Sequence, residues 1–127
     1  MNASRAYLSF AAVLIGLVAC ADDTPTETIA FAPANVSGEI PCDVDTLLVI
    51  CRNCHTSPTK NGAPFPLLKL GDIRGTYNGK TVASRAASAL KSRFMPQAPN
   101  DKDLTDDNRA YLMQWFELGA ASGPGCK

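Results

Sequence analysis

The sequence predicts an all-α domain behind an N-terminal leader and a flexible tether. Three observations predict it. Apolar residues recur at helical spacing in three stretches: Val44, Leu47, Leu48 and Cys51; Val82, Ala86, Ala89 and Leu90; Leu112, Trp115, Phe116 and Gly119. The segments between these stretches are broken by proline, glycine and asparagine. No run alternates at period two convincingly enough to read as a strand, and no internal repeat is present.

Residues 1–19 form the leader. Arg5 gives it a positive start, and residues 6–19 are an apolar run ending Leu17-Val18-Ala19. Such a run is shorter than the ~20 residues of a spanning helix and fits the core of a signal peptide. Leu17-Val18-Ala19-Cys20 resembles a bacterial lipobox, in which Cys20 becomes the lipidated first residue of the mature chain. Ala21 follows Cys20, so the Asp that marks inner-membrane retention is missing. By resemblance to enteric lipoproteins, this points to the periplasmic face of the outer membrane in preference to the inner one. Of 12 Lys and Arg, Arg5 leaves with the leader, so 11 remain against 12 Asp and Glu. No basic excess supports nucleic-acid binding, and a monomer is expected.

Residues 20–41 read as a tether, rich in Ala, Thr, Pro, Asp and Glu and without a sustained period. Ile29, Phe31 and Val36 are its candidates for docking on the domain that follows. That domain, residues 42–127, opens with a helix capped by Asp43 or Asp45 and ending around His55. Residues 56–66 form a loop, Leu67–Leu70 a turn of helix or an extended edge, and residues 71–79 another loop. Thr81 caps a second helix, about 82–93, whose small alanines allow close approach to a flat ligand. Pro96 and Pro99 enforce a loop. Thr105 caps the last helix, with Asp106 and Asp107 in its positive first turn. Gly119 or Gly123 ends it.

The chemistry concentrates in Cys51-Arg52-Asn53-Cys54-His55, a C-x-x-C-H that holds the chain's one histidine. This is the spacing of covalent c-type haem attachment. Two thiols about one helical turn apart can each reach one vinyl group of a porphyrin, and the next imidazole can bind its iron. A zinc half-site would need a second close Cys/His pair, which the chain lacks. A thioredoxin-like redox pair would need a βαβ setting.

The five cysteines divide cleanly. Cys20 goes to lipid, and Cys51 and Cys54 to haem. Cys42 and Cys126 are expected to pair in an oxidising compartment. Closing about 85 residues stabilises by up to roughly 4–5 kcal/mol in the chain-entropy model.

With His55 engaged, no second histidine can bind the iron. Met1 leaves with the leader, and Met113 lies off the inner face of the last helix. Met95, in a loop stiffened by Pro96, is the expected sixth ligand. Its bland alternative is a core filler, and the competing sixth positions are Lys80, Lys91 or an open site.

The order of C-x-x-C-H near the start of a helical domain, Phe94-Met95-Pro96 downstream, and Leu104-Thr105 opening an aromatic helix that ends Gly119-Ala120 resembles monohaem class I cytochrome c domains. It is most similar to small cytochrome c-like lipoproteins of Gram-negative bacteria. The resemblance covers about residues 40–126. It implies a three- to four-helix fold around one covalent haem c, with Cys51 and Cys54 as thioethers and His55 and Met95 as axial ligands of iron. It also implies a proline carbonyl accepting the His55 ring N–H. Pro64 is the preferred candidate, with Pro66 the other. Trp115, Tyr77 and Arg93 are candidates for a haem propionate, against packing or solvent-facing roles.

The function expected is a membrane-anchored one-electron carrier serving unidentified redox partner proteins, rather than an enzyme. A haem-based small-ligand sensor with displaceable Met95 and a haem subunit of a larger oxidoreductase are the alternatives.

Overall fold

The computed structural model describes residues 31–127; the expected leader, the lipidated Cys20 and the first part of the tether, including Ile29, lie outside the described residues. The chain runs β1 (Phe31–Ala32), α1 (Cys42–Arg52), α2 (Leu70–Arg74), β2 (Thr76–Tyr77), β3 (Lys80–Thr81), α3 (Val82–Lys91), a 3-10 turn (Asn100–Lys102) and α4 (Asp106–Glu117). The all-α expectation is therefore corrected. Four helices share the domain with a three-stranded antiparallel sheet ordered β1-β2-β3.

Each strand spans only two residues, too few to show a period. A turn signal was nevertheless present. Asn78-Gly79 joins β2 to β3 with both residues at positive φ, 49° and 70°, which is the backbone of a tight hairpin turn. β1 then pairs Phe31 with Tyr77 and Ala32 with Thr76. The folded body thus includes part of the segment read as tether, and Phe31 does dock.

The second difference is α2, where a loop was expected. Asp72 organises it. Its buried carboxylate accepts the backbone N–H groups of Leu68 at 3.0 Å and Lys69 at 3.1 Å, donors that a short helix otherwise leaves unpaired.

α1 also starts differently. Pro41 precedes it without a side-chain cap, and Asp43 and Asp45 sit in its first turn, where carboxylates favour the helix dipole. The Cys42 N–H is satisfied instead by the Pro124 carbonyl at 3.0 Å. The C-terminal segment is thereby laid beside the start of α1, joined further by the Glu39–Gly123 bridge. Cys42 and Cys126 form a disulfide there across a separation of 84 residues.

α3 and α4 follow expectation. Thr81 Oγ1 accepts the Ser84 N–H and Thr105 Oγ1 accepts the Asn108 N–H. These two helices form the most extensive packing contact. The core gathers Val44 and Leu48 from α1, Leu70 and Ile73 from α2, Val82 from α3, and Leu112 and Phe116 from α4. Among the described residues, no helix is long and apolar enough to cross a membrane.

Candidate functional site

The C-x-x-C-H motif sits where α1 gives way to a loop. The helical path persists through it: the N–H groups of Cys54 and His55 both reach the Cys51 carbonyl, at 3.2 and 2.9 Å. Cys51 and Cys54 are free thiols, partly buried. The loop that follows folds back on the motif. Leu67 N–H donates to the His55 carbonyl at 2.9 Å. Arg52, between the two cysteines, donates from Nε to the Leu67 carbonyl at 2.8 Å and ion-pairs with Asp45 at 2.7 Å.

This fold-back orients the imidazole. His55 is 7% exposed, and its Nδ1 lies 2.8 Å from the Phe65 carbonyl oxygen. A carbonyl only accepts, so Nδ1 carries the hydrogen and Nε2 keeps its lone pair. The acceptor is Phe65, between the two prolines weighed for this role, so the expectation of Pro64 is corrected. Proline at both 64 and 66 stiffens the backbone around that carbonyl, while the Phe65 ring packs 5.2 Å from the imidazole and 5.5 Å from Tyr77. Burial pushes the His55 pKa down, partly offset by the Phe65 carbonyl. Burial pushes the Cys51 thiol up, against the pull of Arg52.

Cys51, Cys54, His55 and Met95 all line one cavity of about 550 Å3, within the ~300–1,000 Å3 of ordinary ligand and cofactor sites. α3 gives it a low wall through Ala86 and Ala89, and Phe94 and Phe116 add aromatic surface. Met95 is held by its backbone. Its N–H donates to the Ala89 carbonyl at 3.2 Å, and its carbonyl accepts from Arg109 Nη1 at 2.5 Å.

The other candidates fall elsewhere. Trp115 uses its ring N–H on the Ala121 carbonyl at 3.0 Å. Arg93 is exposed and pairs with Asp106 at 2.8 Å. Tyr77 does line the cavity. So does Arg85, which sequence reasoning passed over; it is fixed by the Tyr77 and Asn78 carbonyls at 2.8 and 2.9 Å and lies 5.4 Å from the Tyr77 ring centre. Nothing in its local sequence signalled this, because its partners come from the hairpin.

The expectation of a metal-binding chain needs correction. Among the described residues, no group of three or more His, Cys, Asp or Glu could hold a metal ion. Among the described residues no metal centre is built from such side chains alone, so iron held there would need a macrocycle to supply most of its ligands. The donors around the cavity fit such a group: two free thiols, one imidazole with a fixed tautomer, and one thioether. The chain matches no family model, no curated protein and no solved structure.

Proposed function

We propose that this chain carries one covalently attached haem c and works as a one-electron carrier, held to a membrane by lipid on Cys20. The observation that carries the reading is that both thiols of the C-x-x-C-H, its histidine and Met95 line a single cavity. Cys51 and Cys54 would hold the group covalently, each thiol adding its sulfur to one vinyl carbon and its hydrogen to the other. His55, oriented by the Phe65 carbonyl, would offer Nε2 to the iron. Met95 would offer its thioether as the second protein ligand, and a His/Met pair raises the reduction potential.

When bound, haem supplies the Fe(III)/Fe(II) couple. The residues of the chain hold it, keep two protein ligands available in both oxidation states, and exclude water with Phe65, Leu90 and Phe116. With both His55 and Met95 bound, the iron would offer no open site for catalysis or gas binding. The proposed kinship to bacterial monohaem cytochromes c rests on the residues of this site.

The test is an absorption spectrum, oxidised and reduced, of chain produced with a haem-attachment system. The expected result is a covalent c-type spectrum with a weak red sulfur-to-iron charge-transfer band that Met95→Ala abolishes. Reduced wild type should resist carbon monoxide; rapid uptake would favour a small-ligand sensor. Absence of covalent haem would return Cys51 and Cys54 to the standing of an ordinary thiol pair.

A further inference from the structure

Arg109 lies in the first turn of α4 and is 9% exposed. Among the described residues its Nε is the buried side-chain N or O atom that has no hydrogen-bond partner. The ion pairs of the described residues join Arg52 to Asp45 and Arg93 to Asp106, so among the described residues the Arg109 guanidinium is buried without a carboxylate. Such a charge is a poor source of stability, since an apolar side chain of similar size packs without desolvating a cation. What the guanidinium does hold is one atom, the carbonyl oxygen of Met95.

The contact completes the fixing of that residue. The Met95 N–H is taken by Ala89 of α3 and its carbonyl by Arg109 of α4, so the backbone is strung between two helices at a residue that lines the cavity. The loop has reason to spring back. It leaves α3 through Arg93, a non-glycine residue at φ 58°, a backbone conformation that costs energy unless its surroundings hold it. Arg93 is itself tied to Asp106 at the start of α4.

We infer that Arg109 is the positioning residue of the Met95 loop, a latch that keeps the thioether on the iron and whose unneutralised charge favours the reduced state. The inference rests on the proposed haem reading. Two effects follow from one side chain: the hydrogen bond restrains the loop, and a buried positive charge beside the sixth ligand disfavours the more positive ferric centre.

The experiment uses the haem-loaded chain as wild type, Arg109→Met and Arg109→Lys, with Lys127→Gln at an exposed position as a surface-charge control. Read out are the sulfur-to-iron band, the midpoint potential, carbon monoxide uptake by the reduced protein, and amide exchange at Met95. Arg109→Met should weaken the band, lower the potential, and speed both gas uptake and Met95 exchange by about ten- to a hundredfold, the worth of one charge-assisted hydrogen bond. Arg109→Lys keeps the charge without the guanidinium fork, so it should retain most of the potential while still loosening the loop. Lys127→Gln should keep the wild-type potential. A folded Arg109→Met with unchanged band, potential and uptake overturns the latch. Amide exchange at Met95 needs no haem: wild type without covalent haem overturns the reading beneath the inference, whereas unaltered exchange in Arg109→Met overturns the inference itself.

Discussion

His55 Nδ1 sits 2.8 Å from the backbone carbonyl of Phe65, ten residues further along the chain. The acceptor belongs to the backbone, so no side-chain change removes it, but its position depends on the Phe65 ring. That ring is buried, lying against the imidazole at 5.2 Å, Tyr77 at 5.5 Å and Phe31 at 6.4 Å. One aromatic residue thus joins the orientation of the histidine to the sheet.

Phe65→Ala should cost about 3–5 kcal/mol, the usual range for emptying a buried aromatic site. Phe65→Leu should cost less and keep the carbonyl path. In haem-loaded protein, Phe65→Ala should also raise the reduction potential, because an imidazole whose N–H has lost its acceptor donates less density to the iron and stabilises the ferric state less. Denaturant titration and potentiometry check the two halves separately. Equal potentials for the Ala and Leu variants would uncouple ring packing from histidine orientation.

Asp43 of α1 and Tyr111 of α4 predict a pH window. The tyrosine hydroxyl donates to the Asp43 carboxylate across the two helices. This hydrogen bond, with that from the Val44 N–H, holds the Asp43 pKa below its ordinary 3.8. The same contact holds the Tyr111 pKa above its ordinary 10.0. The carboxylate therefore contributes stability that is present above 3.8 and lost as pH falls through its lowered value. The tyrosine contributes below 10.0 and loses its part as pH rises through its raised value. Tyr111→Phe should move the Asp43 titration, followed by NMR, up toward the ordinary value and flatten both shoulders. The effect on overall stability should be small because both groups face solvent. An unmoved Asp43 titration would show that the contact is not kept in solution.

Much of the site was legible because its chemistry is local or spaced by a fixed number of residues. The C-x-x-C-H, Met95 before Pro96, and the caps Thr81 and Thr105 are read directly from the chain. The Cys42–Cys126 pair followed by elimination. What escaped is what tertiary contact decides. β1 pairs with a strand more than forty residues away, and α2 is organised by one buried carboxylate. Pro124 caps α1 from the far end of the domain. Arg85 and Arg109 both look like surface residues of a helix until the loops they hold are placed. The hairpin could have been found: Asn78-Gly79 was in plain view, but two-residue flanks carry no alternation to support it.

Gly75 tests whether β1 belongs to the fold. Its φ of −64° is open to any residue, so conformational freedom does not explain the glycine. Space does. A Cβ there would lie 2.5 Å from the Ala32 carbonyl oxygen and 2.9 Å from Pro33 Cα, both backbone atoms. Gly75→Ala should therefore displace β1 rather than adjust a side chain, raising exchange at the amides that pair Phe31 with Tyr77 and opening the 31–34 segment to proteases. Wild-type protection of this segment in the variant would mean that the strand accommodates the methyl group by sliding.

The disulfide should matter most at the joint it closes. Cys42 begins α1, where its N–H is capped by Pro124, and the Gly125 N–H reaches a Glu39 carboxylate oxygen at 3.3 Å. The sulfur bridge, the cap and the short pairing of Glu39 with Gly123 hold the two ends of the domain together. The hydrogen bonds alone are few and exposed at the edge. Replacing both cysteines by serine should cost about 2–5 kcal/mol and uncap α1, with the loss concentrated in the amides of residues 42–45. The cavity lies at the other end of α1, where Arg52 and Leu67 fix the C-x-x-C-H independently, so haem attachment should survive in the double variant at temperatures where it remains folded. Denaturant titration gives the stability change, and residue-resolved exchange locates it. A uniform loss of protection across α3 and α4 would show instead that the bridge supports the whole domain.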